Sequence, residues 1–94
     1  MRDFLVEVCC GSTEDALQAA KGGADRIELC SNLFQGGLTP TLGSFRTIKR
    51  NSDIKVNVMI RPREGGFLYT EKEWETALED ARIFAAEGAD GLVC

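Results

Sequence analysis

The tripeptide Gly23-Ala24-Asp25 recurs as Gly88-Ala89-Asp90, and each copy stands between a helical run and an apolar run. A helix-stopping glycine, a small residue and a polar turn residue suit a joint from helix to strand. The elements alternate around these joints. Phe4 to Cys10 is a dense apolar run stopped by Gly11, and it reads as a strand. Ser12 caps a helix carrying Ala16, Leu17, Ala19 and Ala20, which Gly22-Gly23 ends. Arg26 to Cys30 is the second strand. Thr39 caps the next helix with Pro40 at its first position, where a missing N–H costs nothing. Leu42, Phe45 and Ile48 then face the sheet. Lys55 to Ile60 is the third strand, ended by Pro62. Thr70 and Glu73 make a capping box ahead of an apolar stripe of Trp74, Ala77, Leu78, Ala81 and Ala85. Gly88 stops that helix, and Gly91 to Cys94 begins a fourth strand.

This β-α-β-α-β-α-β order over residues 1–94 argues for one α/β domain of right-handed parallel units. Three and a half such units cannot close an eight-stranded barrel, which needs about 250 residues. An open doubly wound sheet is the other solution, but its fourth strand is very short. The expectation is therefore the N-terminal part of a longer TIM (β/α)8-type barrel.

The pleat sorts the strand residues by face. Aligning "VEVCC" (6–10) on "IELCS" (27–31) lays Glu7 over Glu28 and Cys9 over Cys30. Val6, Val8, Ile27 and Leu29, with Val56, Val58 and Ile60, take the helix side. Glu7, Cys9, Arg26, Glu28 and Cys30 then point into the barrel, with Asn57, Met59 and Arg61 from the third strand. In the same register Cys10 and Cys94 fall outside the inward set. A charge in a barrel interior needs a partner. Glu7 and Glu28 are expected close enough to titrate as a pair, with Arg26 and Arg61 as counter-charges. Arg61 sits at the C-terminal rim, where barrel enzymes place their sites. Two readings of this face stand side by side: a structural ion-pair layer with small inert cysteines, or a ligand-binding or catalytic site. Gly36-Gly37 is either an anion cradle or turn punctuation. Arg61 and Arg63 can hold a carboxylate or phosphate bidentately, or Arg63 is a solvated loop charge. Phe67, Leu68 and Tyr69 form a lid or pack down on the rim.

Composition removes several functions. Net charge is 11 − 15 = −4 with the signs interspersed, so no basic footprint for nucleic acid and no polybasic membrane patch exists. The N-terminal apolar run is short and closes on charged residues, unlike a signal peptide. A cytoplasmic location is expected, with Cys9, Cys10, Cys30 and Cys94 reduced. Without a CxxC pair or a histidine, an ordinary zinc site from this chain alone is not expected.

At these residues the chain resembles the copper homeostasis protein CutC family. The segments that carry the likeness are "VEVC" (6–9), "GGADRIELC" (22–30), "GGLTPTLG" (36–43), "VMIRPR" (58–63), "FLYTEKE" (67–73) and "GADGLV" (88–93). The resemblance implies a cytoplasmic TIM-type barrel, in some members a dimer. It also implies Cu(I) held by cysteines at the ends of the first two strands, which are Cys9 and Cys30 here. Two soft thiolates on adjacent strands suit that ion. This chain has Glu64-Gly65-Gly66 where the family has Gly-Gly-Asp, and Cys94 where it has phenylalanine; a later His-Arg segment of the family is absent.

Three functions follow as expectations. In the first, Cys9 and Cys30 bind Cu(I), with Glu7, Glu28 and Arg61 around them. In the second, an enzyme holds a small anionic substrate on Arg61 and uses Glu7 or Glu28 as acid or base. In the third, the chain is a truncated fragment without activity, whose unpaired strand edges drive homo-oligomerisation.

Overall fold

The computed structural model describes residues 3–94; Met1 and Arg2, where the N-terminal reading starts, lie outside the described residues. Four strands, β1 (Glu7–Cys10), β2 (Arg26–Leu29), β3 (Lys55–Met59) and β4 (Gly91–Val93), form one sheet. They lie in the order β1-β2-β3-β4, and every pairing is parallel. Three α-helices connect them: α1 (Thr13–Lys21), α2 (Leu42–Asn51) and α3 (Glu71–Ala86), with a 3-10 turn at Leu33–Gln35. An order that never reverses has no switch point, unlike a doubly wound sheet. It is the order of a barrel wall.

One face of the wall is apolar and carries the helices. Ile27, Leu29, Val56 and Val58 are buried there against Ala16, Phe45, Ile48, Ala77 and Phe84. Phe45 of α2 meets Phe84 of α3 edge-on, with ring centroids 5.5 Å apart. Each of the valine, leucine, isoleucine and phenylalanine side chains contributes roughly 1.5–3 kcal/mol when fully buried. The opposite face keeps Glu7, Cys9, Arg26, Glu28, Asn57 and Met59, as the pleat predicts; all are exposed or half-buried.

Both Gly-Ala-Asp joints are built alike. Gly23 (φ +94°) and Gly88 (φ +100°) take the left-handed conformation that favours glycine. Their N–H groups donate to Ala20 O at 3.2 Å and Ala85 O at 3.2 Å, and the next alanines reach Ala19 O and Phe84 O. These bonds close each helix by satisfying its last carbonyls. The aspartates then grip the start of the neighbouring strand. Asp25 N donates to Val6 O at 2.9 Å while Val6 N donates to Asp25 Oδ2 at 2.7 Å. Asp90 repeats this with Val56, at 2.9 and 2.8 Å. The repeated tripeptide therefore has a mechanical explanation.

Three details depart from the expectations. β1 begins at Glu7, and Phe4 and Leu5 before it are exposed. The second helix is capped by Thr41, whose hydroxyl accepts from Ser44 N, and not by Thr39. The Thr39 hydroxyl is engaged elsewhere: it accepts from Arg61 N at 2.9 Å and donates to Arg61 O at 3.1 Å. In α3 the capping box forms as expected, but the buried residues are Ala77 and Phe84. Trp74 and Leu78 of the expected stripe stay about half exposed.

Candidate functional site

The inner wall divides into two zones. Toward the start of the strands, Arg26 Nε donates to Glu7 Oε2 at 2.6 Å, and Asn57 Nδ2 reaches the same oxygen at 3.3 Å. Toward the strand ends lies a thiol cluster. Cys9 Sγ and Cys30 Sγ are 3.7 Å apart, and the Cys9 thiol donates to Glu28 Oε1 at 3.8 Å. Cys9 is exposed on the wall, whereas Cys30 is buried just beyond β2.

The lateral neighbours differ from the aligned pairs. Glu7 sits opposite Arg26 and Cys9 opposite Glu28, a slide of two residues from the pattern alignment. Barrel strands are tilted and sheared, so equivalent positions on adjacent strands are staggered along the axis. Glu7 and Glu28 are consequently diagonal, with the Glu7 carboxylate beside Arg26. The same stagger brings Cys9 and Cys30 together across a diagonal. Cys10 lies on the core side, where its thiol donates to Val8 O at 3.5 Å. Cys94 lines the groove beside α3 with Ile60, Trp74 and Leu92.

Burial pushes the Cys30 thiol up to about 12, helped by its contact with Cys9 and by the Glu28 carboxylate. It is a protonated thiol at neutral pH, donating to Cys10 O at 3.5 Å. Burial also pushes Cys10 up to about 11, with Asp15 and Cys9 adding to it. Cys9 and Cys30 would hold a soft metal ion as thiolates, and binding would then release the proton of the buried Cys30 thiol.

Arg61 and Arg63 organise the rim. Arg61 Nη1 donates to Gln35 O at 2.7 Å and Gly37 O at 3.3 Å, and Nη2 donates to Gly65 O at 2.9 Å. Its guanidinium lies over the Phe67 ring, 5.1 Å from the centroid. The side chain thus ties the loop after β2 to the loop after β3. Its Nε is buried with no acceptor among the described residues. Arg63 pairs with Glu73 and donates to the carbonyls of Glu64, Gly66 and Leu68. Its hydrogen bond holds the Glu73 carboxyl below the usual carboxylate range. Gly36 and Gly37 spend their N–H groups on Leu33 O and Asn32 O, which leaves turn punctuation and no anion cradle. Tyr69 packs between Arg63 and Trp74, whereas Leu68 points into solvent.

Among the described residues no group of three or more Cys, Asp, Glu or His is arranged to hold a metal ion. The donors that fit one are the two thiols, because a 3.7 Å sulfur pair can bracket a soft monovalent ion of low coordination number. Pattern reading placed these residues on the right face and named Arg26 as a counter-charge, but it put Glu7 beside Glu28 instead of Arg26 and missed the loop over Cys30. A staggered register applied to the same strands corrects the first. No local signal encodes the second.

The comparisons with known proteins bear on the family and the fold. A CutC family protein from Treponema denticola is 52% identical over 93 residues, covering 99% of this chain and 38% of its own length. The copper homeostasis protein cutC homolog of Homo sapiens is 53% identical over 90 residues, covering 96% of this chain and 33% of its own. The chain spans about a third of the length of these curated relatives. A solved structure of the copper homeostasis protein CutC from Streptococcus agalactiae matches with a TM-score of 0.85 at 35% identity, over 94% of this chain and 43% of that one. The four strands are accordingly the N-terminal part of a TIM-type barrel. No helix among the described residues is long and apolar enough to cross a membrane. The CutC family model matches residues 4–94, and the chain belongs to the CutC family.

Proposed function

We propose that this chain binds Cu(I) as cargo of a cytoplasmic copper-handling barrel, with Cys9 and Cys30 as its ligands. The observation that carries the reading is the 3.7 Å approach of two thiol sulfurs from adjacent strands on the inner wall. Soft thiolates select Cu(I) over the harder divalent ions, and a reducing compartment keeps both available. Glu28 accepts from the Cys9 thiol and orients it. Glu7 with Arg26, and Arg61 with its three carbonyls, hold the surrounding wall and rim. The names of the curated relatives support copper as the ion. Titrating the fully reduced chain against a chromophoric Cu(I) chelator tests this. One Cu(I) per chain is expected, and Cys9→Ser or Cys30→Ser removes it. Equal binding by the double variant rejects the proposal.

One observation favours a second reading, an enzyme acting on a small anion. The buried Arg61 Nε has no acceptor among the described residues, so the guanidinium keeps a donor in reserve at the rim, and a small anion drawn to its charge would satisfy that donor once the covering loop shifts. Glu28, two positions before Cys30 on the same wall, is then the acid or base. This reading expects turnover of a phosphorylated sugar or small acid that Glu28→Gln abolishes. Absence of turnover across such a screen removes it.

A further inference from the structure

The inner wall carries a third sulfur beside the proposed cysteine pair, that of Met59. Met59 ends β3 with the parity of Asn57, so it points inward. Leu29 pairs with Val58, and the next positions on the two strands are Cys30 and Met59. Cys9, Cys30 and Met59 therefore lie on three successive strands of one wall. The loop after β2 roofs two of them. A β-carbon built on Gly37 stands 3.3 Å from Cys30 Sγ and 3.8 Å from Met59 Cε. Gly37 also has φ +90°, a backbone conformation that disfavours a side chain, and a β-carbon there would sit tightly against Cys30. The two sulfur-bearing side chains thus converge under one glycine.

Resting on the Cu(I) reading above, we propose that the Met59 thioether is a third sulfur donor to the same ion. Chemistry favours it over Glu28, the other donor near Cys9. A carboxylate is a hard ligand, whereas thioether and thiolate are the soft set that selects Cu(I). Glu28 also adds negative charge beside two thiolates, and a thioether adds none. Methionine has three rotatable bonds, and its sulfur is one bond from the methyl that lies near Gly37, so the thioether can be re-aimed by rotamer changes without moving the backbone. Met59 is half-buried on the inner wall and lies outside the apolar cluster under the helices.

Two measurements on the reduced 94-residue chain test the thioether. In the first, Cu(I) competition titrations compare wild type with Met59→Leu, which keeps the shape and removes the sulfur. Loss of a partner outside the first ring of ligands already costs about 10–100-fold in metal affinity, so Met59→Leu should weaken binding at least about tenfold. In the second, the wild-type chain carries 13C-methyl methionine and is titrated with Ag(I), a soft closed-shell ion. The Met59 methyl resonance, identified by its absence from Met59→Leu, should shift to completion at one equivalent. An unmoved methyl together with unchanged Met59→Leu affinity, where Cys9→Ser still abolishes binding, overturns the thioether and leaves the cysteine pair standing. A wild-type chain that takes up no stoichiometric Cu(I) overturns both.

Discussion

Cys9 and Cys30 differ in one respect that decides how each behaves: Cys9 faces open space on the inner wall, and Cys30 lies under the Gly37 loop. The thiolate is the reactive form, and burial holds the Cys30 thiol near 12 and the Cys10 thiol near 11. Raised values favour the neutral thiol, so neither ionises near neutral pH. Alkylation by iodoacetamide at pH 7.5 (about a unit below an ordinary thiol pKa), followed by peptide mass mapping, should therefore modify Cys9 and Cys94 first. Cys10 and Cys30 should follow only as the pH is raised or the chain unfolds. Rapid labelling of Cys30 in the folded chain contradicts the buried position. The face of each of these residues could be read from period-two alternation alone. Their neighbours could not, because Glu7 meets Arg26 through a stagger that depends on barrel tilt, a property of the sheet and not of either strand.

The N-terminal ends of α1 and α3 were readable because their capping groups are local and unchallenged. Ser12 and Thr70 cap α1 and α3 as their spacing predicts, because donor and acceptor lie within three residues. Thr39 misled for the opposite reason: its hydroxyl bonds the Arg61 backbone across 22 positions of sequence, and the cap passes to Thr41. The Gly-Ala-Asp joints yield a quantitative expectation. Asp90→Ala removes the acceptor of the Val56 N–H at the start of a central strand and should cost about 1–2 kcal/mol in urea unfolding. Asp90→Asn keeps an acceptor oxygen and should cost less. Acid dependence follows from the same group. The Lys49 ammonium and the Val56 N–H hold Asp90 below the usual carboxylate range, and arginine pairs do the same for Glu73 and Glu87. A carboxyl depressed in the folded state stabilises it above the unfolded pKa, near 4, and that contribution is lost as pH falls through the depressed value. The thermal midpoint should therefore be level from pH 7 to about 5 and fall below about 4. A midpoint that rises on acidification contradicts these pairs.

As a whole, the molecule is a barrel wall with an apolar outer layer and a polar inner one. β1 and β4 each pair on one side only within the described sheet, and unpaired strand edges template association. Beside β4, Ile60, Trp74, Leu78, Leu92 and Cys94 line an apolar groove along α3. Phe34 and Leu68 are almost fully exposed on the loops at the strand ends. The 94-residue chain should accordingly sediment as a concentration-dependent oligomer, and a sedimentation profile that stays monomeric as concentration rises contradicts that expectation. Alternation of strand and helix made this architecture readable from the start, since each connection is local and its punctuation is glycine, proline and capping hydroxyls. The roof over Cys30 was not readable. It needs Gly37 to lie against a sulfur seven residues earlier and Arg61 to clamp two loops, contacts that only the folded wall creates.

The central claim is that thiols from adjacent strands, Cys9 and Cys30, hold one Cu(I). X-ray absorption at the copper edge, on the reduced chain loaded with one equivalent, addresses it most directly. A first shell made of sulfur, lost in Cys9→Ser/Cys30→Ser, is the predicted result. A shell of nitrogen and oxygen, or a sulfur shell that persists in the double variant, contradicts it.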